Sequence, residues 1–425
     1  MGKLNAPVYF LGAGCTKFGN LLETPEIKGL TLQELSSMAV NEALKEAKTE
    51  AGEIDAVFIG THTPQGSNMT AAYNQLSRWI GMEMKAGVQI GAGCATTAVG
   101  ATLAAMGIAS GAYKKVLVVG FESTQSTPVP GHPYLRQQVP TDKMWEWTDS
   151  GVNQAYLVPQ GYDIFPFNGM AALGYCKKHG YGIEEYDRAM MEMCRVRRQN
   201  ASKNEKAYIR EPLEDEAKRL GFNDLWEFWT SPYNPHAPWP GRIRSGVTPC
   251  DGASAMVMSG AEGAKAFRGT PIELLGFGTA VKDAPWFDDD STVATRSSVE
   301  ASRLAFEMAA ISPNEINYGH FHDCAHIHSL CFAEIAGYVP VGEGLKYVRD
   351  GRTALDGDKP MSSHGGRHAF GHAWAASAGS DIWEAMRQMR GESGPTQISK
   401  SPEFSLLFLL GYCNINTVLI MKRGL

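Results

Sequence analysis

Two residues able to act as a nucleophile and as its base each stand at the head of a segment rich in small side chains. Cys94 opens Cys94-Ala95-Thr96-Thr97-Ala98-Val99-Gly100, and His372 opens His372-Ala373-Trp374-Ala375-Ala376. A sulfur at a helix N-terminus meets unpaired backbone N–H groups and the positive end of the helix dipole, which favours thiolate over thiol. Seven of the eleven histidines fall between residues 320 and 372, most densely in His320-Phe321-His322-Asp323-Cys324-Ala325-His326-Ile327-His328. Zinc is disfavoured for this patch because a strand-to-helix junction scatters the side chains and no second ligand pair completes a tetrahedral set. A general acid/base cluster is the better reading. Cys331 reads as a buried helix residue, and His364 and His368, flanking Gly365-Gly366, as loop or supporting groups.

Hydrophobic periodicity supplies the elements that must hold these residues. Helices are expected over Leu32 to Ala47, Met69 to Ile80, Cys94 to Ser110, Ser297 to Ala310 and His372 to Arg390. Strands are expected over Ile54 to Gly60, Lys114 to Gly120, Ile316 to Phe321 and Phe404 to Leu410. The two ends of the chain read as copies, since Thr49-Glu50-Ala51-Gly52-Glu53-Ile54-Asp55 is echoed by Ser312-Pro313-Asn314-Glu315-Ile316-Asn317. Cys94 and His372 then occupy equivalent places in the two halves. Between Phe121 and Arg244 the composition shifts, with five of nine tryptophans and many prolines, as in an inserted lobe. Its aromatics at 159–167 and 226–230 suit a small core or an apolar pocket wall. Its charge cluster over Met190 to Lys206, including Arg195 and Arg198, suits a solvated helix face or a phosphorylated ligand.

Composition sets the bounds. A chain of 425 residues, 44% hydrophobic and 20% charged, can bury a large core, and a formal charge of -6 argues against a nucleic-acid surface. Eight cysteines without a C-x-x-C pair, and no signal-peptide pattern, predict reduced thiols in a cytoplasm. No apolar run approaches the roughly 20 residues of a membrane span.

Cys94 before a small-residue helix, then Asp251-Gly252-Ala253-Ser254-Ala255, His322-Asp323-Cys324 and Gly365-Gly366 followed by Gly371-His372 resemble the successive motifs of the thiolase superfamily. His322-Asp323-Cys324, Tyr175-Cys176-Lys177-Lys178-His179-Gly180 and Asn200-Ala201-Ser202-Lys203-Asn204 resemble its sterol-carrier-protein-linked branch. The resemblance spans nearly the whole chain. It implies an α/β fold of duplicated βαβαβαββ halves in a five-layered αβαβα core with an inserted loop domain. The implied division is 1–121 with 245–264 for the first half, 122–244 for the inserted domain on the CoA side, and 265–425 for the second half.

By the same resemblance Cys94 is the acylated nucleophile, His372 its base, Cys324 the second acid/base and His322 an oxyanion-hole donor. Gly365, Gly366, Arg195 and Arg198 are weak candidates for CoA contact. Coenzyme A is co-substrate, nothing is bound covalently and this chain holds no metal. A homodimer core with a small zinc-ribbon and OB-fold partner carrying the zinc, together a heterotetramer, is implied. Departures from the pattern reshape the pocket: Ala325 and Ala373 replace larger residues, and the C-terminal glycine run is lost, so Cys413 is a poor acid/base candidate. The freed space and the aromatic lobe favour thiolysis of a bulky or aromatic 3-oxoacyl-CoA, with 2-benzoylsuccinyl-CoA preferred and acetoacetyl-CoA as the alternative. A condensing enzyme, a zinc hydrolase and a non-catalytic acyl-CoA-binding scaffold are the competing classes.

Overall fold

The structure, a computed structural model, describes residues 2–62, 71–129, 132–139, 159, 164–282, 293–411 and 415–424. The first part of the chain runs β1 (Val8–Cys15), α1 (Leu32–Ala47), β2 (Ala56–Gly60), α2 (Ala72–Ser77), β3 (Ala86–Ile90), α3 (Thr96–Ala109) and β4 (Lys115–Glu122). A hairpin of β5 (Ser126–Val129) and β6 (His132–Gln138) follows, then helices α4 (Ile164–His179) and α5 (Ile183–Ser202), before β7 (Gly252–Gly260) returns to the sheet. The second part runs β8 (Ile272–Val281), α6 (Arg296–Ala309), β9 (Tyr318–Phe321), α7 (His326–Ile335), α8 (Trp374–Arg390), β10 (Phe404–Gly411) and β11 (Ile415–Arg423).

Nine of these strands form one mixed sheet in the order β3-β2-β4-β7-β1-β8-β11-β10-β9. The two halves of the sheet join at β1 and β8, where Tyr9 pairs with Glu273 and Phe10 with Ile272. Helix α1 covers β1 and β7 on the outside of the first half, α6 covers β8 and β11 on the outside of the second, and α3 and α8 lie between. This is the duplicated, five-layered arrangement expected. One departure is local: the strand that would mirror β3 is a single parallel bridge between Gly319 and Met361. Pro360 beside it has no N–H to extend the ladder.

The outer helices are amphipathic. Helix α1 starts in a capping box of Thr31 and Glu34 and buries Leu32, Leu35, Ala39, Val40, Ala43 and Ala47. The central helix α3 buries Thr97, Ala98, Gly100, Ala101, Thr102, Ala104, Ala105 and Ile108, because it is enclosed on several sides. Small side chains let it fit.

The duplication shows in one repeated packing device. A Cβ at Gly12 would lie 2.5 Å from the Ala43 carbonyl oxygen, and one at Gly14 2.0 Å from that of Ala39. In the second half a Cβ at Gly276 would lie 2.6 Å from the Ala305 oxygen, and one at Gly278 2.1 Å from that of Ala301. Gly-x-Gly on the first strand thus receives an alanine-striped helix in each half. Gly14→Ala and Gly278→Ala are each expected to cost about 1–3 kcal/mol, read as a lower urea midpoint. Gly52→Ala, with nothing within 4 Å, serves as control. Midpoints equal to the control would exclude this account.

Several boundaries differ from the sequence expectation. Strand β4 continues through Glu122, and Asp251-Gly252-Ala253-Ser254-Ala255 opens strand β7 rather than making a turn. The helix expected from Met69 is the shorter α2, and residues 63–70 fall outside the described set. His372 precedes α8 and bridges to Pro249 in parallel. Among the described residues seven cysteines are free thiols, Cys331 is buried in α7 as expected, and Cys413 is not described. No described helix is long and apolar enough to cross a membrane.

Candidate active site

Cys94 lies just beyond the end of β3, on a 3-10 turn (Gly93–Ala95) that leads into α3. Gly93 has φ 56°, a left-handed conformation that glycine adopts at no steric cost. Thr96 pins the turn, its Oγ1 accepting from the Ala92 N–H at 2.9 Å and donating to the Gly93 carbonyl at 2.6 Å. A Cβ at Gly411 would meet the Ala92 oxygen at 2.2 Å, so the end of β10 abuts this turn closely.

His372 is fixed by backbone bonds, donating from N to Thr248 O at 2.8 Å and accepting from Cys250 N at 3.2 Å. Its Nε2 lies 2.9 Å from Cys94 Sγ and 3.4 Å from Cys324 Sγ. Its Nδ1 is 2.9 Å from Ser377 Oγ. When Nδ1–H donates to Ser377, the Nε2 lone pair faces both sulfurs. His322 follows β9 and donates its backbone N–H to Phe408 O at 2.8 Å, which brings its Nε2 to 2.6 Å from Cys324 Sγ. The structure therefore brings together Cys94, His372, Cys324 and His322.

The two thiols are pushed apart in acidity. The Cys94 thiol is held well below its ordinary range, first by the hydrogen bond from Cys324 and then, against the cost of burial, by the His372 imidazole. The Cys324 thiol is pushed well above its range, first by that same bond and then by burial. Burial, with Arg367 nearby, keeps His322 neutral. The arrangement offers a thiolate, a thiol able to give a proton, and the neutral His322 imidazole beside that thiol.

The histidine patch disperses. His320 joins the buried His364 and Asp381, His326 meets His368 with ring centroids 5.8 Å apart, and His328 stacks loosely on Phe332. Only His322 and Cys324 of that stretch reach the cysteine of the first half. The weak CoA candidates are placed elsewhere. Arg198 is buried and bonded to Glu216 at 2.7 Å and to the Glu211 carbonyl at 3.0 Å, and Arg195 pairs with Glu192 and Glu214. Gly365 and Gly366 form a left-handed turn whose open side is filled: a Cβ at Gly366 would lie 2.1 Å from Asp323 Oδ2. In this structure each guanidinium is paired with a carboxylate and each glycine faces a protein atom.

A cavity of about 390 Å³ ends at Cys324 and Ala325 and is lined among others by Tyr186, Pro238, Ile243 and Val247. Ala325 lines it as expected. Ala373 does not; it is wholly buried in the central core. Phe228 and Trp229 fill the core of the lobe, where Trp229 Nε1 donates to Asp187 at 2.6 Å, and so wall no pocket. Residues 160–163 of the aromatic stretch at 159–167 are outside the described residues.

Several participants were given no role by the sequence reading. Ser377 orients His372 from one turn inside α8. Asp323 accepts from the Arg367 N–H at 3.0 Å and pairs with Arg197 at 3.1 Å, tying the His-Asp-Cys segment to α5 and to the glycine turn. His62, just past the end of β2, is 5.5 Å from the Trp374 ring, its backbone N–H donating to Glu122 at 2.8 Å. Its position was readable in principle, because ligands in α/β folds gather beyond the carboxyl ends of parallel strands.

Comparison with known proteins bears on the family and the fold. Residues 8–184 match the family described as "Thiolase, N-terminal domain" and residues 278–423 that described as "Thiolase C-terminal domain-like". An acetyl-CoA acetyltransferase of Methanothermobacter thermautotrophicus is 25% identical over 92% of this chain and 93% of its own. Benzoylsuccinyl-CoA thiolase subunit BbsB of Thauera aromatica is 28% identical, over 38% of this chain and 42% of its own. The solved Ltp2-ChsH2(DUF35) aldolase superposes with a TM-score of 0.72 at 19% identity, over 99% of this chain and 98% of that one.

Proposed function

The chain belongs to the thiolase superfamily, and from that premise we propose that it carries out CoA-dependent acyl transfer through an acyl-Cys94 intermediate. The observation that carries this reading is a single imidazole nitrogen, His372 Nε2, within 2.9 Å of one thiol and 3.4 Å of another. His372 takes the Cys94 proton, and the thiolate adds to the 3-oxo carbon of a 3-oxoacyl-CoA. The C–C bond breaks toward the thioester, Cys324 protonates the departing carbanion, and His322 faces the oxyanion. Cys324 then removes the proton of incoming CoA, whose sulfur takes the acyl group from Cys94. Run backwards, the same steps join two acyl-CoA molecules.

For the substrate, acetyl-CoA and acetoacetyl-CoA are the better supported pair. The acetyl-CoA acetyltransferase likeness covers nearly the whole chain, whereas the benzoylsuccinyl-CoA likeness covers 38% of it. The Trp229 side chain, moreover, fills the lobe core instead of a pocket. Membership of the sterol-carrier-linked branch, the domain division at 122–244 and a cytoplasmic location belong to the same proposal. So does an assembly with a small DUF35-type partner on a dimeric core, supported by the solved complex of similar fold.

The test is mass spectrometry of the chain after incubation with acetyl-CoA, succinyl-CoA or benzoyl-CoA, beside Cys94→Ala. An acetyl adduct on Cys94, absent from the variant, is expected; a benzoyl adduct alone would restore the aromatic reading. No adduct on any cysteine, with or without a DUF35-type partner, would leave the scaffold reading.

A further inference from the structure

We propose that Cys94, His322, Cys324 and His372 together form a tetrahedral site for a borderline divalent cation of the zinc class, and that filling it shuts the nucleophile off. Sequence spacing counted against zinc because the His-Asp-Cys patch lacked a second ligand pair. The fold completes the set with Cys94 from the first half of the chain and His372 from further along the second. The two sulfurs and two imidazole nitrogens all lie within 4.8 Å of one another. Consecutive separations are 2.9 Å from Cys94 Sγ to His372 Nε2, 3.4 Å from there to Cys324 Sγ, and 2.6 Å from there to His322 Nε2. Zinc at about 2.3 Å from sulfur and about 2.0 Å from nitrogen needs tetrahedral ligand atoms roughly 3.3–3.8 Å apart. The four atoms enclose that spacing and need to move only by fractions of an ångström to about one ångström.

Three further observations support the site. Two thiolates and two neutral imidazoles around a dication make a neutral unit, so a buried position carries little charge penalty. The His372 ring is already oriented from behind by Ser377, the kind of outer partner that fixes a metal-binding imidazole. The 390 Å³ cavity reaches Cys324 and offers an entry path. The other buried cluster, His320, His364 and Asp381, is unsuitable by comparison, because Arg367 already holds both Asp381 oxygens at 2.8 and 2.6 Å.

Filling forms two metal–sulfur and two metal–nitrogen bonds and releases the protons that the sulfurs carry. No redox change is involved. With all four positions taken by protein, the metal keeps no open site and occupies the place of the attacking sulfur's lone pair. The cation is thus a reversible cap on the thiolate.

Cobalt(II), added anaerobically to the full-length chain, is the probe. Intense visible bands of tetrahedral cobalt, with thiolate charge transfer, are expected at one equivalent and should be displaced by one equivalent of zinc. Cys94→Ser and Cys324→Ser should each abolish the spectrum. Ser377→Ala should weaken cobalt binding by roughly 10–100-fold. Cys331→Ser, remote from the site, should bind as the parent does. Should the serine variants fold poorly, the parent chain alkylated at Cys94 provides the same comparison. Weak six-coordinate bands only, or a tetrahedral spectrum that survives loss of both cysteines, would overturn the site. Because the readout is spectral, acyl-transfer activity could be absent without affecting the result.

Discussion

Cys324→Ala should leave Cys94 open to acylation by acetyl-CoA yet lower cleavage of acetoacetyl-CoA by roughly 10²–10⁴-fold, the usual yield of a positioned acid or base. The two steps differ in what departs. A CoA thiolate leaves a tetrahedral carbon readily, whereas a carbanion alpha to a thioester needs a proton as the bond breaks. Cys324 is the only thiol of the quartet free to supply one, because Cys94 is held toward thiolate. A second consequence separates this role from a packing role. The Cys324 hydrogen bond is the first cause of the lowered Cys94 acidity range, so the alanine variant should need higher pH for Cys94 to react with iodoacetamide. Unchanged alkylation against pH together with unchanged cleavage would dismiss Cys324 as acid/base.

Arg367→Met should destabilise the fold by about 3–5 kcal/mol, because it strands a carboxylate in the core. Arg367 is 1% exposed and makes a two-pronged pair with Asp381, itself 3% exposed. Burial alone would push the Asp381 carboxyl up, but Arg367 first, then His320 and His364, hold it well below the usual carboxylate range. A depressed folded value contributes stability above the unfolded carboxylate range, and that contribution is lost only as pH falls through the folded value. In the variant, burial dominates and the sign reverses. The carboxyl then prefers its proton, so relative stability is greatest in mild acid and falls as pH rises through the raised folded value. Denaturation across pH 4 to 7 checks this, and parallel curves for parent and variant would refute it. Arg367 also donates its backbone N–H to Asp323, a bond the methionine variant keeps, so the loss should be read in global stability.

How far the chain could be read in advance follows from what each feature depends on. Helix α1, strand β4 and strand β10 carry long apolar patterns and were placed within a few residues. Four adjacent strands at the centre of the sheet, β7, β1, β8 and β11, were not recognised at all. In β1 and β8 the apolar alternation is broken by Gly12, Gly14, Gly276 and Gly278, and in β7 it is diluted by the small residues of Gly252–Gly260, whereas β11 has no such interruption. Those residues are small because helices lie almost against the backbone there.

The sequence by itself determined the chemistry on offer: a cysteine and a histidine each ahead of a small-residue helix, a His-Asp-Cys segment, and an order of motifs that pointed to the superfamily. These are local facts, carried by residue type and spacing. Tertiary structure alone decided which histidines meet the nucleophile. It sent His320 and His364 to Asp381 and His326 to His368, while His322, Cys324 and His372 met Cys94 from the opposite half. It also paired Arg198 with Glu216 and set Gly366 against Asp323. The reason is geometric: each such outcome depends on the crossing of two sheet halves and the helices between them, and distances across that crossing are set by packing that no single segment encodes.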